Sequence, residues 1–355
     1  MPAVKDFTKD EFLQRVGNTP LIRFDSISEE TGRNIYFKAE YTNPGGSIKD
    51  RAVIHLIRDV IDSGLAPGGT LVESTAGNTG VAIALLARSY NPPFKVKLFV
   101  PDSLVQEKIT LMQSLGCELV KCPANASPSS RDCFVNAAKI HAEESPNAVF
   151  LNQMNNCSNR DSHYETTAPE IWRALDGKVD GFTASAGTGG TFMGIADFLK
   201  QKTDGRAVCW FADKKGSGLC HYIKTKGQDG WKSEGTSFVE GIGKHNLTGN
   251  MHDALKIADD AITIDDTDAI VMIYKLIHEQ GCEIGASGGL NLCAAKALAM
   301  TLPEGSNVVT TVADGAEKYA SKLFNKSWLI ENGHWDAIPE EMRKYATYDA
   351  SSVSA

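Results

Sequence analysis

The feature of this 355-residue chain that most restricts its fold is a repeated alternation of short strand-like runs with longer helical patterns. Clusters of β-branched and aromatic residues predict strands, and apolar residues that recur every three or four positions predict helices. Strand–helix–strand repeats build parallel sheets that helices cover on both faces. The predicted strands are 35–40, 70–75, 96–100, 118–122, 148–152, 181–186, 207–212, 261–264 and 307–312. The predicted helices are 47–63, 79–89, 106–115, 131–143, 163–175, 191–200, 266–280, 290–300 and 317–324.

The length and composition of the chain predict a two-domain globular protein. A length of 355 residues exceeds what one ordinary core organises, and 42% hydrophobic residues can supply a sizeable interior. The formal net charge of −8 argues against nucleic acid or an anionic membrane as the main partner. No apolar run approaches the roughly 18 residues of a membrane-spanning helix. The N-terminal segment has no signal or transit character, so a cytoplasmic location is expected.

The cysteines and histidines lack the spacing of metal sites. The chain has eight of each, but no Cys-x-x-Cys pair and no His-x-x-x-His pair. Because most of the cysteines lie in apolar or strand-like contexts, the pattern predicts reduced structural thiols rather than disulfides or zinc ligands. No metal site is expected.

A lysine stands out in the segment 43–51, Asn-Pro-Gly-Gly-Ser-Ile-Lys-Asp-Arg. Lys49 follows a Gly-Gly pair by three residues and lies at the predicted start of a helix. Glycines let the backbone approach a ligand closely. The positive end of a helix discourages a second cation, which suits a lysine that works as a neutral amine or an imine. Taken alone, the segment is explained equally by a solvated lysine at a helix start, and three further motifs favour the chemical interpretation.

Two of these motifs lie between a predicted strand and a predicted helix, where open α/β sheets bind ligands. Residues 74–80, Ser-Thr-Ala-Gly-Asn-Thr-Gly, combine hydroxyls with free backbone N–H groups and suit a carboxylate, with an ordinary helix cap as the alternative. Residues 187–191, Gly-Thr-Gly-Gly-Thr, predict a phosphate cradle. Phe192 stands where a dinucleotide fingerprint requires its third glycine, so a ligand with one phosphate fits better than a dinucleotide.

The last motif is the turn 285–289, Gly-Ala-Ser-Gly-Gly, before a predicted helix. By itself it would be a plain helix cap, but it offers the hydroxyl of Ser287 in a tight pocket. A lysine amine, a phosphate cradle, a carboxylate site and a buried hydroxyl together describe a site for pyridoxal 5′-phosphate.

With these motifs the chain resembles the cysteine synthase (O-acetylserine sulfhydrylase) and cystathionine β-synthase family, which has fold type II of the pyridoxal phosphate enzymes. The matching stretches run from 16–21 to 319–322 and include 151–153, 163–172 and 239–243. The resemblance implies a tryptophan synthase β-like α/β fold: two three-layer α/β domains with mostly parallel sheets. It implies a smaller mobile domain at 45–155, a larger domain at 1–44 and 156–330, and a C-terminal tail at 331–355. The tail after residue 332 is expected to be disordered or loosely packed.

The resemblance also implies a role for each motif residue. Lys49 would form the Schiff base with pyridoxal 5′-phosphate and, once displaced by substrate, would be the catalytic acid and base at the α-carbon. Asn78 would donate to the phenolic oxygen of the cofactor, and Ser287 would face its pyridine nitrogen. The phosphate would be held by Gly187, Thr188, Gly189, Gly190 and Thr191. The substrate would be bound by Thr75, Ala76, Gly77, Asn78, Thr79, Gln153 and Gly241.

The implied reaction is a β-replacement that forms L-cysteine from O-acetyl-L-serine and sulfide through an α-aminoacrylate. Ser287 agrees with it, because a hydroxyl cannot keep the ring nitrogen protonated, which disfavours transamination and favours expulsion of a group from Cβ. Cystathionine β-synthase, cyanoalanine synthase and diaminopropionate synthase chemistry stay open, as does a non-catalytic regulatory homologue. A homodimer is implied, with serine acetyltransferase as a candidate partner.

One position departs from the pattern of the family. Cysteine synthases commonly have serine where this chain has Ala76. The loss of one hydroxyl donor changes binding by about 1 kcal/mol, which predicts a shift in substrate preference rather than a loss of activity. The sequence assigns no role to Lys214 and Lys215.

Overall fold

A computed structural model describes residues 9–75 and 77–348 of the chain. The strands are β1 (Leu21–Arg23), β2 (Asn34–Ala39), β3 (Thr70–Ser74), β4 (Lys95–Pro101), β5 (Glu118–Cys122), β6 (Ala148–Phe150), β7 (Gly181–Ser185), β8 (Val208–Lys214), β9 (Asp260–Ile264) and β10 (Asn307–Val312). The α-helices are α1 (Lys9–Gln14), α2 (Asp25–Thr31), α3 (Lys49–Asp62), α4 (Asn78–Ala87), α5 (Gln106–Ser114), α6 (Phe134–Glu144), α7 (Ser158–Ser162), α8 (Ala168–Ala174), α9 (Gly190–Lys202), α10 (Leu219–Lys224), α11 (Ala254–Ile257), α12 (Asp266–Gln280), α13 (Ala286–Ala299), α14 (Ala320–Leu323) and α15 (Lys326–Glu331). Turns of 3₁₀-helix lie at Glu40–Thr42, Gly249–Met251, Ala316–Tyr319, Trp335–Ala337 and Glu340–Tyr345, and a π-helical turn at His163–Thr167.

The strands form two separate sheets. Six strands have the order β1-β2-β10-β7-β8-β9, and four have the order β5-β4-β3-β6. The four-stranded sheet is parallel throughout, as the alternating pattern predicts. The six-stranded sheet is parallel except at its edge, where β1 pairs with β2 in antiparallel register. The prediction of an α/β fold with mostly parallel sheets is confirmed.

Both sheets are covered on both faces. In β10, Val308 faces the core that contains α12 and α13, while its neighbour Val309 faces the core that contains α8 and α9. In the smaller sheet, Leu71 packs with α3 and α4, whereas Val72 packs against α6. Adjacent strand residues point to opposite faces, so these near-continuous apolar strands are the expected sequence of buried parallel sheets.

All nine predicted strands are present, but the sequence analysis missed several short elements, among them β1 and α10. Strand β1 has only three residues, which is too short for an alternating pattern to be visible. Helix α10 lies inside 216–230, a stretch rich in glycine and lysine with no strong period, where no helix was predicted. Its apolar residues Leu219, Cys220 and Ile223 are buried, at the spacing of one helical face.

The prediction of a loosely packed C-terminal tail is wrong for residues 333–348. Ile338 is fully buried and Met342 is 8% exposed, and both join the core around α12. The aromatic ring of Trp335 is contacted by Lys326 and Arg343, with centroid distances of 5.1 and 5.2 Å. Two apolar residues four positions apart thus attach a mainly polar segment to the larger sheet. Residues 349–355 lie outside the described part of the chain.

The described residues contain neither a membrane-spanning helix nor a cluster of metal-ligating side chains. No helix among them is long and apolar enough to cross a membrane. No group of three or more histidine, cysteine or acidic side chains in residues 9–75 and 77–348 is placed to hold a metal ion. The eight cysteines are free thiols.

Candidate active site

The starts of α3 and α13 meet beside the carboxyl end of β10. Ser47 forms an antiparallel bridge with Asp314, and Ile284 forms one with Gly315. Ile48 N donates to the carbonyl of Ala313 at 2.8 Å. Through these backbone contacts the end of one central strand positions two segments that are more than 200 residues apart in sequence, the one before Lys49 and the one before Ser287.

Lys49 is the first residue of α3 and is half-buried. Its Nζ makes no hydrogen bond to any of the described residues, whereas the backbone N–H of Lys49 donates to Ser47 Oγ at 3.3 Å. Burial lowers the pKa of the Lys49 ammonium, the negative charge of Asp314 opposes this, and the positive charge of Lys318 adds to it. An amine with a lowered pKa is more often neutral and therefore a better nucleophile and base.

Asn78 is the first residue of α4 and belongs to a network that the sequence did not predict. Its Nδ2 donates to Asp314 Oδ2 at 2.7 Å, and its Oδ1 accepts from Lys318 Nζ at 2.9 Å. Lys318 also donates to the carbonyl of Gly46 at 3.1 Å, and Tyr319 Oη donates to Asp314 Oδ2 at 3.1 Å. The carboxylate of Asp314 is 2% exposed, and its Oδ1 has no hydrogen-bond partner among the described residues. The network fixes the Asn78 amide, and burial raises the pKa of Asp314 although the bond from Asn78 and the charge of Lys318 oppose the rise.

Ser287 lies in the first turn of α13 and is 5% exposed. Its hydroxyl makes no hydrogen bond to the described residues. A buried hydroxyl normally has a partner. Ser287 is therefore suited to bind a polar atom of a ligand, as the sequence analysis expected.

The segment 187–191 forms a close-fitting cradle at the start of α9. A Cβ on Gly187 would lie 2.2 Å from the carbonyl oxygen of Gly241, and a Cβ on Gly190 would lie 2.3 Å from Asn159 Oδ1. Gly189 has φ 85°, and its Cβ would lie 2.0 Å from Met251 Cγ. Only glycine fits at these positions. Gly190 N donates to Thr188 Oγ1 at 3.3 Å, and the backbone N–H groups of a helix start are a donor set that fits a phosphate.

Two buried side chains orient the hydroxyls of the cradle, and the sequence analysis did not assign them roles. Asn159 Nδ2 donates to Thr188 Oγ1 at 3.0 Å. His163 Nε2 lies 3.2 Å from Thr191 Oγ1, and its Nδ1 lies 2.9 Å from Thr167 Oγ1. Burial, aided by Arg51 and Lys49, lowers the pKa of His163 well below its usual range, so the ring is neutral. His163 lies within 163–172, one of the stretches that resemble the family, so this resemblance could have pointed to it.

Phe192 has a structural role directly after this cradle. It is fully buried and stacks on Phe211 with 3.6 Å between ring centroids. The close helix contact is made instead at Gly194, where a Cβ would lie 2.3 Å from the carbonyl oxygen of Arg160.

The residues predicted to bind a carboxylate lie close together near the ends of β3 and β6. Gly77 N donates to Thr75 Oγ1 at 3.3 Å, and Thr79 Oγ1 donates to Gln153 Oε1 at 2.7 Å. Gln153 Nε2 in turn donates to the carbonyl of Ser74 at 3.2 Å. The structure thus brings Thr75, Gly77, Asn78, Thr79 and Gln153 together at the carboxyl end of the smaller sheet. Ala76 lies outside the described residues.

Gly241 belongs to a loop that contacts the phosphate cradle. It has φ 76°, a conformation that favours glycine. Lys214 Nζ donates to the carbonyl of Val239 at 2.5 Å, and Lys215 forms an ion pair with Asp265. These contacts give the two lysines structural roles: Lys214 holds the loop that carries Gly241, and Lys215 neutralises the residue that caps α12.

A buried carboxyl group lies under the carboxylate site. Glu73 is 1% exposed, and its two oxygens accept from Gln153 N at 2.9 Å and from Ser74 N at 2.7 Å. Burial raises the pKa of Glu73 to about 7, although these hydrogen bonds oppose the rise. Glu73 therefore connects the end of β3 to the segment that carries Gln153, and it titrates near neutral pH.

This carboxyl group should make the stability of the protein depend on pH. Between its ordinary pKa and pH 7 the folded state binds more protons at Glu73 than the unfolded state, so stability falls as pH rises through this window. The expected loss is about 3 kcal/mol. Urea unfolding at pH 5 and pH 8 should show a steeper loss in the parent than in Glu73→Gln, which removes this titration while other carboxyls still titrate. Parallel pH dependences would contradict the assignment.

Arg51 anchors the first turn of α3 to the larger sheet. Its guanidinium makes two bonds to Glu40, at 2.7 and 2.9 Å, and two to Glu170, at 2.8 and 2.7 Å. Lys38 Nζ adds a bond to Glu170 Oε2 at 2.6 Å. Burial opposes ionisation of Glu170, but the bonds from Arg51 and Lys38 prevail and lower its pKa to about 2. Two cations and two anions form a closed buried network that fixes the helix carrying Lys49.

Comparisons with known proteins agree with this arrangement. The pyridoxal-phosphate dependent enzyme family matches residues 12–314. A cysteine synthase 1 of Emericella nidulans is 46% identical over 333 residues, which cover 94% of this chain and 89% of that protein. A cystathionine beta-synthase of Apis mellifera is 34% identical over 96% of this chain and 67% of its own length. The solved structure of an O-acetylserine dependent cystathionine beta-synthase from Helicobacter pylori superposes with a TM-score of 0.77 and 31% identity, over 90% of this chain and 99% of that one. The chain therefore belongs to the pyridoxal-phosphate dependent enzymes, and its fold is fold type II of that class.

Proposed function

We propose that this protein forms L-cysteine from O-acetyl-L-serine and sulfide. In the overall reaction the bond between Cβ and the ester oxygen breaks, acetate leaves with the electron pair, and sulfide forms the new bond to Cβ. The observation that carries the proposal is the Lys49 amine, which has no protein hydrogen-bond partner among the described residues and follows a segment that backbone bridges hold, together with the segment before Ser287, at the end of β10. The 46% identity to a protein named cysteine synthase supports this choice of substrates.

The residues of the site fit the cofactor of the family. Lys49 Nζ would attach to its aldehyde carbon, and the segment 187–191 would hold its phosphate. Asn78 would donate to its phenolic oxygen through Nδ2, and Ser287 would bind its ring nitrogen through Oγ. When bound, pyridoxal 5′-phosphate withdraws electrons from the α-carbon of the substrate.

The protein's own groups would then bind the substrate and move its proton. Thr75, Thr79 and Gln153, with the backbone of 75–79, would hold the substrate carboxylate, and Gly241 would line the opposite side. Lys49 Nζ would take the α-proton, for which a lowered pKa is an advantage. The division of the chain into 45–155 and into 1–44 with 156–330 is part of this proposal, because each unit contains one of the two sheets. Closure of the smaller unit on bound substrate would exclude water.

The direct test mixes the purified, cofactor-loaded protein with O-acetylserine and sulfide and measures cysteine by chromatography. Cysteine formation that depends on both substrates is expected. An absence of cysteine would refute the proposal. A second candidate is synthesis of cystathionine, favoured by the relative from Apis mellifera and the structure from Helicobacter pylori. Homocysteine in place of sulfide tests it, with cystathionine as the measured product.

The hydroxyl at position 287 gives a prediction about reaction type. Ser287→Asp would place a carboxylate against the cofactor's ring nitrogen and hold a proton there. We expect cysteine formation to fall by about 100-fold. Ser287→Ala is the matched control, because it removes one hydrogen bond without adding charge, and it should cost about fivefold. Unchanged turnover in Ser287→Asp would contradict the role given to Ser287.

Three further parts complete the proposal, and the first and last of them rest on family resemblance. They are a homodimer, a cytoplasmic location and serine acetyltransferase as a candidate partner. Light scattering of the purified protein tests the first, and a mass of about twice 38.3 kDa is expected.

A further inference from the structure

Lys244 is a cation without a counter-ion at the edge of the candidate active site. It is half-buried, and its Nζ contacts Met154 Sδ at 3.7 Å, a thioether that is only a weak acceptor. No carboxylate among the described residues forms an ion pair with it. Burial alone lowers the pKa of Lys244, because no charged neighbour opposes it.

Two other enclosed lysines among the described residues, Lys38 and Lys214, have polar partners. Lys38 binds Glu170 at 2.6 Å, and Lys214 donates to the carbonyl of Val239 at 2.5 Å with Asp213 and Asp266 nearby. A cation that is partly removed from water without an anion is costly for the folded protein. Such groups in a cleft are candidates for ligand binding.

The backbone around Lys244 is held firmly against the site. Lys244 N donates to Ser217 Oγ at 2.8 Å, and Gly218 N donates to the Lys244 carbonyl at 2.8 Å. One residue earlier, Gly243 N donates to the carbonyl of Ala186 at 3.0 Å, directly before the phosphate cradle. On the other side, Met154 follows Gln153 of the carboxylate site. The ammonium therefore lies between the two predicted anion-binding segments.

From this placement we infer that Lys244 binds an oxyanion carried on Cβ of the amino acid substrate, so that the site accepts O-phosphoserine as well as O-acetylserine. This inference rests on the proposed function and specifies its substrate class. In the added reaction the bond between Cβ and the ester oxygen breaks, phosphate leaves with the electron pair, and sulfide forms the bond to Cβ. Lys244 would be the residue that determines specificity for the charged substituent.

The cofactor's phosphate is a less suitable partner for Lys244. Thr188, Gly189 and Gly190 are buried, and the Thr188 hydroxyl is held by Asn159. The cradle thus has its own enclosed donors at a helix start. Lys244 is half-exposed, so its ammonium is accessible to a ligand that enters from solvent. The Cβ substituent is separate from the carboxylate and the α-amine of the substrate, so it can pair with Lys244 while they are bound elsewhere.

The charge of the substituent decides how strongly each substrate depends on Lys244. The phosphate of O-phosphoserine is an anion when it binds, whereas the ester of O-acetylserine is neutral until acetate leaves. A hydrogen bond to a charged group contributes roughly ten times or more to affinity. Removal of Lys244 should therefore weaken binding of O-phosphoserine much more than binding of O-acetylserine.

The experiment titrates the cofactor-loaded parent, Lys244→Ala, Lys244→Arg and the control Lys256→Ala with each substrate. Lys256 is an exposed lysine paired with Asp253. The absorbance of the bound cofactor reports on reaction, and calorimetry reports on binding. We expect Lys244→Ala to raise the half-saturating O-phosphoserine concentration about tenfold or more. O-acetylserine should change by less than about threefold, Lys244→Arg should retain O-phosphoserine binding, and Lys256→Ala should behave like the parent.

Several outcomes would overturn the inference. An equal effect on both substrates, no effect on either, or a parent that responds to O-acetylserine but never binds O-phosphoserine would each do so. A Lys244→Ala protein that loses affinity for pyridoxal 5′-phosphate itself, with substrate binding unchanged, would instead make Lys244 a cofactor ligand. If the parent binds O-phosphoserine through Lys244 but is inert to O-acetylserine, the proposed function fails and the anion site stands.

Discussion

Lys49→Ala should reduce cysteine formation from O-acetylserine and sulfide by about 1,000-fold or more. The amine of Lys49 is the one nucleophile and base that the proposed reaction places at the α-carbon. Lys318, a neighbouring lysine among the described residues, cannot take over both tasks because Gly46 and Asn78 hold it. The variant should also lose the absorbance of covalently attached cofactor. Initial rates and an absorbance scan of the same preparation measure both effects.

The control for this variant is Lys256→Ala, an exposed lysine in an ion pair with Asp253. It removes the same side chain far from the site and should retain parental rates. Thermal unfolding of both variants shows whether they fold. A folded Lys49→Ala protein with parental activity would remove the basis of the proposed function.

Arg51→Met should destabilise the protein by about 3–5 kcal/mol. The change removes the cation that binds both Glu40 and Glu170 and leaves two buried carboxylates with Lys38 as the remaining cation. An uncompensated buried charge is costly, whereas replacement of the whole network by apolar residues need not be. Urea unfolding followed by tryptophan fluorescence measures the free energy of unfolding.

Arg58→Met is the matched control, because Arg58 is exposed on the same helix. A surface substitution of this kind changes stability by about 0.5 kcal/mol or less. A loss below about 1 kcal/mol in Arg51→Met would show that the network contributes little. It would also weaken the argument that these ion pairs fix the start of α3 and thereby the position of Lys49.

Much of the sheet architecture was predictable because it is encoded locally. Each buried parallel strand is a short apolar run, and in each long helix the apolar residues recur every three or four positions. The sequence of 96–100 is therefore sufficient to predict a strand, and that of 266–280 to predict a helix. The positions of the glycine-rich motifs at helix starts were predictable for a related reason. Glycine permits close backbone contacts there, as Gly187 and Gly190 show, whereas the binding roles of these motifs stay predictions.

The supporting residues were not predictable, since they depend on contacts between distant parts of the chain. Asn78 donates a hydrogen bond to Asp314, which is 236 positions away in the sequence, and Arg51 donates one to Glu170, 119 positions away. The residues next to an acidic residue after a strand, or next to an arginine inside a helix, do not indicate which distant side chain will bind it. The packing of Ile338 and Met342 was missed for the same reason, because two apolar residues in a polar tail indicate no particular surface.

The central claim is that a cofactor aldehyde is bonded to the amine of Lys49. Borohydride reduces the carbon–nitrogen double bond of such a linkage to a stable amine, which can be located by peptide mass spectrometry. The account predicts one labelled lysine, Lys49, in the peptide that contains 43–51. A label on another lysine such as Lys318 or Lys244, or no label in protein loaded with pyridoxal 5′-phosphate, would contradict it.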